Sequence, residues 1–224
     1  MSNLGRALLA EFVGTALLLA VIVGSGTMGE RMAAGNDGIA LLANSLATGC
    51  ALFVLIVVFA PISGAHFNPL VSLIARLEGD ATTTALLALV VTQVIASFAG
   101  VALAHGMFDL ALWAPSLKQR SGFGHWLAEG VATFGLVLTI MGSRRYGAVV
   151  VAAAVATYIC AAYWFTASTS FANPVVTLAR AFTPTFVGIA PSHVAAFVAA
   201  QCVGAVVALV LARVLGLTRE GANS

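Results

Sequence analysis

The chain has 224 residues, is 61% hydrophobic and only 8% charged, and its mean hydropathy is +1.04, so it holds too few polar residues to cover a soluble globule. Ten basic against eight acidic residues give a formal charge of +2 with no basic run, which sets nucleic acid aside as a partner and leaves the lipid bilayer.

In chain order, apolar runs of spanning length are expected at 7–27, 39–60, 82–104, 124–142, 147–166 and 192–215, each close to the roughly 20 residues a helix needs to cross a bilayer. Polar stretches such as Gly29-Glu30-Arg31 and Gly142-Ser143-Arg144-Arg145 separate them. The first run follows only Arg6, carries Glu11 and lacks a convincing cleavage site, so it reads as a retained span. Two shorter apolar segments, 68–77 and 173–182, each begin with Asn-Pro and read as half-spans. With a cytoplasmic N-terminus, Arg6, Arg76, Arg144, Arg145, Arg213 and Arg219 fall inside, and Arg31, Lys118, Arg120 and Arg180 outside. Six to four favours both termini on the cytoplasmic side.

The connection 106–123 divides the chain into a first three-span unit, 1–105, and a second, 124–224. The two units resemble each other. Glu11-Phe-Val-Gly-Thr matches Glu129-Gly-Val-Ala-Thr, Asn68-Pro69-Leu70 matches Asn173-Pro174-Val175, and Gln93 matches Gln201. An odd number of spans per unit inverts the second copy, so the two half-spans are expected to meet from opposite faces near the midplane. The fold class expected is an all-α membrane protein with six transmembrane helices and two re-entrant half-helices in an inverted repeat.

Asn before Pro starts a helix well: the Asn side-chain oxygen caps backbone N–H groups, and Pro at the first position lacks a donor that would be orphaned. That capping leaves the side-chain NH₂ of Asn68 and Asn173 to donate toward whatever passes between them. Two helix N-termini meeting there carry about half a positive charge each, a barrier to cations that neutral molecules do not feel. Glu11 and Glu129 lie within spans, where an unpaired carboxylate costs at least a few kcal/mol. Both are assigned to accept backbone N–H groups of the irregular chain before each half-helix, with proton relay as the alternative, and Gln93 and Gln201 are assigned to the same network or to interhelical bonds. His66 sits in the approach to the first half-span, either bonded to backbone or lining a pore; His105, His125 and His193 read as interface anchors at span ends. Cys50, Cys160 and Cys202 read as buried small hydrophobes. No cluster has metal-ligand spacing, no serine or cysteine has an evident base and no phosphate loop appears, so neither enzyme chemistry nor a cofactor is supported.

Six spans, two Asn-Pro half-helices, an acidic residue opening each unit and Ser63-Gly-Ala-His66-Phe-Asn68-Pro together resemble the aquaporin and aquaglyceroporin family over nearly the whole chain. The resemblance implies a pore in each subunit of a homotetramer, passing water or small uncharged solutes down their gradients. This chain departs from the family pattern in reading Asn-Pro-Leu and Asn-Pro-Val where Asn-Pro-Ala is usual, so that Leu70 and Val175 could narrow the midpore. Where the family places a filter arginine three residues after the second Asn, it has Val176. The resemblance puts Thr48, Ser170 and either Cys160 or Ala161 at the other filter positions, and Arg180 either at the outer vestibule or at the half-helix C-terminus. The run Ala172-Asn-Pro-Val-Val-Thr-Leu-Ala-Arg180, with valine in place of the filter arginine, resembles a bacterial branch linked to arsenic resistance, which implies polyols and trivalent arsenic acids as solutes. A secondary transporter and a non-conducting scaffold plugged by Leu70 and Val175 stand as alternatives.

Overall fold

The computed structural model describes residues 3–218, which leaves Arg219, counted above among the cytoplasmic basic residues, outside the described residues. Helices run α1 Asn3–Met32, α2 Asp37–Ser63, α3 Pro69–Leu77, α4 Thr83–Met107, α5 Phe123–Ser143, α6 Ala148–Phe165, α7 Pro174–Arg180 and α8 Pro191–Val214, with a single 3₁₀ turn at Arg144–Tyr146 and no strand among the described residues. Six of these helices are long and apolar enough to cross a membrane; α3 and α7 are too short.

Local chemistry sets the helix ends. Asn36 caps α2 by accepting from the N–H groups of Gly38 and Ile39, and Gly64 ends that helix in the left-handed region. Thr82 caps α4, and Asn68 and Asn173 cap the two half-helices with Pro in the first position. The expected break at Gly29-Glu30-Arg31 is not there: α1 continues to Met32. No proline interrupts it, and its charged end is satisfied from loops, with Glu30 accepting from the Phe186 N–H and Arg31 donating to the Phe108 carbonyl at 3.1 Å.

The helices pack as two copies of one motif. α1 lies against α2 and α4, α5 lies against α6 and α8, and α2 meets α6 between the units. The α1–α4 and α5–α8 crossings are close because they are glycine-lined. A Cβ at Gly100 would stand 2.2 Å from the Ala16 carbonyl oxygen, and one at Gly204 would stand 2.1 Å from that of Gly130. Each half-helix reaches across to the other unit, α3 to α8 and α7 to α4. Large apolar side chains such as Leu87, Val91, Ile95, Val203 and Val210 cover the outside, as a bilayer requires. Cys50 and Cys202 are exposed among them and Cys160 is half-buried, so the expectation of three buried thiols fails. His105 is no surface anchor either: it is fully buried, with Nε2 2.8 Å from the Thr183 hydroxyl.

Candidate pore

Each half-helix is preceded by irregular backbone, and the two stretches match residue for residue at a separation of 105. Ala65 and Phe67 have positive φ, as do Ser170 and Ala172. Each such residue costs about 1–2 kcal/mol for a side chain with a Cβ, so something must hold the backbone there. The intramembrane glutamates do so. Glu11 accepts from the N–H groups of His66 and Phe67 at 2.7 and 2.8 Å and from the Ser63 hydroxyl at 2.8 Å. Glu129 accepts from those of Phe171 and Ala172 at 2.8 and 3.0 Å. Gln93 bridges Glu11 to Ser72 of α3, and Gln201 bridges Glu129 to Thr177 of α7. All four bridging residues are fully buried.

The two asparagines meet through a reciprocal clasp. Asn68 accepts from the Leu70 N–H and donates its amide to the Ala172 carbonyl at 2.8 Å; Asn173 accepts from Val175 and Val176 and donates to the Phe67 carbonyl at 2.8 Å. One N–H of each NH₂ is thus committed across the repeat. The other has no partner among the described residues, and both asparagines line the cavity described next.

A cavity of about 900 Å³ runs along this seam. It begins among Leu4, Glu78, Asp80 and Arg144, passes His66, Val71, Asn68 and Asn173, and its lining stops at Val176, Ser170, Thr48, Tyr163 and Arg180. At the first end Glu78 pairs with Arg144 at 3.0 Å and with Arg213 at 3.5 Å. His66 turns Nδ1 to the Ser72 hydroxyl, 3.0 Å away, while facing the cavity. At the far end the Thr48 and Tyr163 hydroxyls lie 3.3 Å apart, and Arg180 stacks over the Phe171 ring with its Nε on the Val187 carbonyl. Arg120, from the connecting loop, lies on the same ring and donates to the carbonyls of Gly188 and Ser168 at 2.9 and 3.0 Å. Burial lowers Arg120 to about 10, opposed by the charge of Glu129, so it remains protonated at neutral pH.

Two expectations about this lining need correction. Neither Cys160 nor Ala161 borders the cavity. Cys160 turns its thiol to the Ser45 carbonyl at 3.2 Å against Gly49, and Ala161 is exposed on the outer surface of α6. The face of α6 on the cavity is Ala148, Val151, Val155, Ile159 and Tyr163, spaced three or four apart, and Tyr163 is the member of that face at the far end. Leu70 and Val175 do not border the cavity either. Both are buried in helix packing, Leu70 among Val137, Met141 and Ala205, because the third residue of each motif points away from the seam while the fourth, Val71 or Val176, points into it. The plug that would make a non-conducting scaffold is absent at these two positions.

Residues 1–147 match the model of the major intrinsic protein family. The chain is 52% identical over 211 residues to aquaglyceroporin AqpS of Rhizobium meliloti (strain 1021), covering 94% of this chain and 90% of that protein. It is 30% identical to the probable aquaporin TIP5-1 of Oryza sativa subsp. japonica, over 94% of this chain and 83% of the other. Its fold is similar to the crystal structure of the aquaglyceroporin from Plasmodium falciparum, with a TM-score of 0.74 at 20% identity over 93% of this chain and 95% of that one. The chain belongs to the major intrinsic protein family and is a multi-pass membrane channel for small solutes.

Proposed function

We propose that this protein passes small uncharged solutes passively, namely glycerol-like polyols, water and trivalent arsenic acids, through one pore per subunit of a homotetramer. We place it in a bacterial inner membrane with both termini cytoplasmic. The observation that carries the reading is the far end of the cavity, where Thr48, Ser170 and Val176 offer small side chains beside Tyr163 and Arg180 and no carboxylate joins the lining among the described residues. A solute entering there gives up part of its water shell to the hydroxyls and meets the free N–H of Asn68 and of Asn173 at the midplane. A water held by both donors is oriented, and the hydrogen-bonded file that would relay protons is broken. The 52% identity to a protein described as an aquaglyceroporin supports polyols over strict water selectivity.

A proton-coupled transporter needs an intramembrane carboxylate free to titrate through its cycle. Glu11 and Glu129 each hold two backbone N–H groups and a glutamine, which favours the scaffolding role and a channel.

The test is stopped-flow light scattering on reconstituted liposomes with water, glycerol and arsenous acid, for the wild type and Val176→Arg. The wild type is expected to pass all three, and the arginine to lower glycerol and arsenous acid flux by about tenfold while water persists. Unchanged flux in the variant removes Val176 from the path; wild-type flux equal to empty liposomes defeats the channel reading for these solutes.

A further inference from the structure

Arg180 is 1% exposed and is the largest fully buried side chain among the described residues, yet its Nη1 has no hydrogen-bond partner. Ser170, 3% exposed and also at the far end of the cavity, has an Oγ with no partner either among the described residues. An unmade hydrogen bond on a buried charged donor is costly, and the cost is recovered if the partner is a molecule that passes through. The rest of the side chain is immobilised. Its Nε is on the Val187 carbonyl, and the guanidinium carbon sits 3.3 Å from the centroid of the Phe171 ring. No acidic side chain makes an ion pair with it among the described residues. The Thr48–Tyr163 hydroxyl pair completes a polar ring on otherwise apolar walls.

We infer that Arg180 sets the charge and oxygen selectivity of this channel: its Nη1 donates to the hydroxyl oxygen of a neutral solute, beside Ser170 Oγ, and its charge turns cations away. The charge absent at position 176 is thereby supplied from the next turn of α7. The inference rests on the channel reading above and specifies which residue discriminates within it.

The experiment measures potassium leak and glycerol and water flux in liposomes holding wild type, Arg180→Gln, Arg180→Lys and Thr48→Asp, each first shown to elute as the wild type does on size exclusion. Arg180→Gln is expected to raise potassium leak about tenfold and to lower glycerol flux severalfold relative to water. Arg180→Lys keeps the charge and is expected to leak as little as the wild type. Thr48→Asp leaves Arg180 in place and neutralises it across the ring, so it also raises the leak; it decides the matter if Arg180→Gln does not fold. Potassium leak at the wild-type level in folded Arg180→Gln or in Thr48→Asp overturns the inference, as does Arg180→Lys leaking like the glutamine. Wild-type glycerol flux no faster than empty liposomes defeats instead the reading on which it rests.

Discussion

Glu129→Gln is close to isosteric and isolates what the buried carboxylate does. In the wild type Oε1 accepts from the Phe171 N–H, while Oε2 accepts from the Ala172 N–H and the Gln201 amide. A glutamine keeps one acceptor oxygen, which can serve Phe171. Its NH₂ then faces the Ala172 N–H and the Gln201 NH₂, donor against donor. Gln201 has an Oε1 with no partner among the described residues, so its amide can turn over and accept from the new NH₂, at the cost of its bond to Thr177. The Ala172 N–H has no such recourse. One lost hydrogen bond to a charged acceptor is worth about 1.5–3 kcal/mol, and a second, if Gln201 does not turn, brings the loss to about 3–6 kcal/mol. The left-handed backbone at Ser170 and Ala172 loses its restraint at the same time. At about 2–4 °C per kcal/mol for a chain of this size, the melting midpoint is expected to fall by roughly 3–24 °C. The assay is thermal unfolding of the detergent-solubilised protein followed by size exclusion, with glycerol flux measured at pH 6 and pH 8 on whatever reconstitutes. A midpoint within about 2 °C of wild type refutes the assignment of Glu129 to the backbone. A stable variant that loses a wild-type pH dependence of flux identifies a proton-coupled carrier.

Tyr163→Ala removes the bulkiest side chain beside Thr48 at the far end of the cavity, and glycerol flux by stopped-flow is expected to rise several-fold; unchanged flux takes Tyr163 out of the path. Gly14→Ala would put a Cβ 2.0 Å from the ring of Phe67, which is 2% exposed and packed edge-on against Phe59. The overpacking costs about 1–3 kcal/mol and displaces the carbonyl that Asn173 donates to, so both melting midpoint and flux fall. Gly106→Ala, where nothing among the described residues stands within 4 Å of the new Cβ near the end of α4, is the control and is expected to stabilise by up to about 1 kcal/mol.

Much of this molecule is legible without coordinates because a bilayer imposes strong rules. Runs of about 20 apolar residues are spans, and a carboxylate inside one must find donors. The two short Asn-Pro segments declare capped half-helices, and matching residues in an odd-span repeat declare the inversion. What the sequence leaves open is the rotation of each helix about its own axis. Whether Cys160, Ala161 or Tyr163 borders the cavity is a matter of about 100° per residue, set by how α6 packs on α2 through Gly49. Leu70 and Val175 looked like obstructions for the same reason. Only the tertiary structure turns the third residue of each motif into the helix packing and the fourth toward the seam.

The clasp between Asn68 and Ala172 and between Asn173 and Phe67 joins residues more than 100 positions apart, beyond the reach of any local pattern. Arg180 makes the contrast plainest. From the sequence it is a basic residue at the end of a short helix, where the helix dipole alone is reason enough for it. Its burial over Phe171 and its unanswered Nη1 exist only because the loop carrying Val187, the stretch before α7 and the end of α6 converge there, and that convergence is a property of the folded chain.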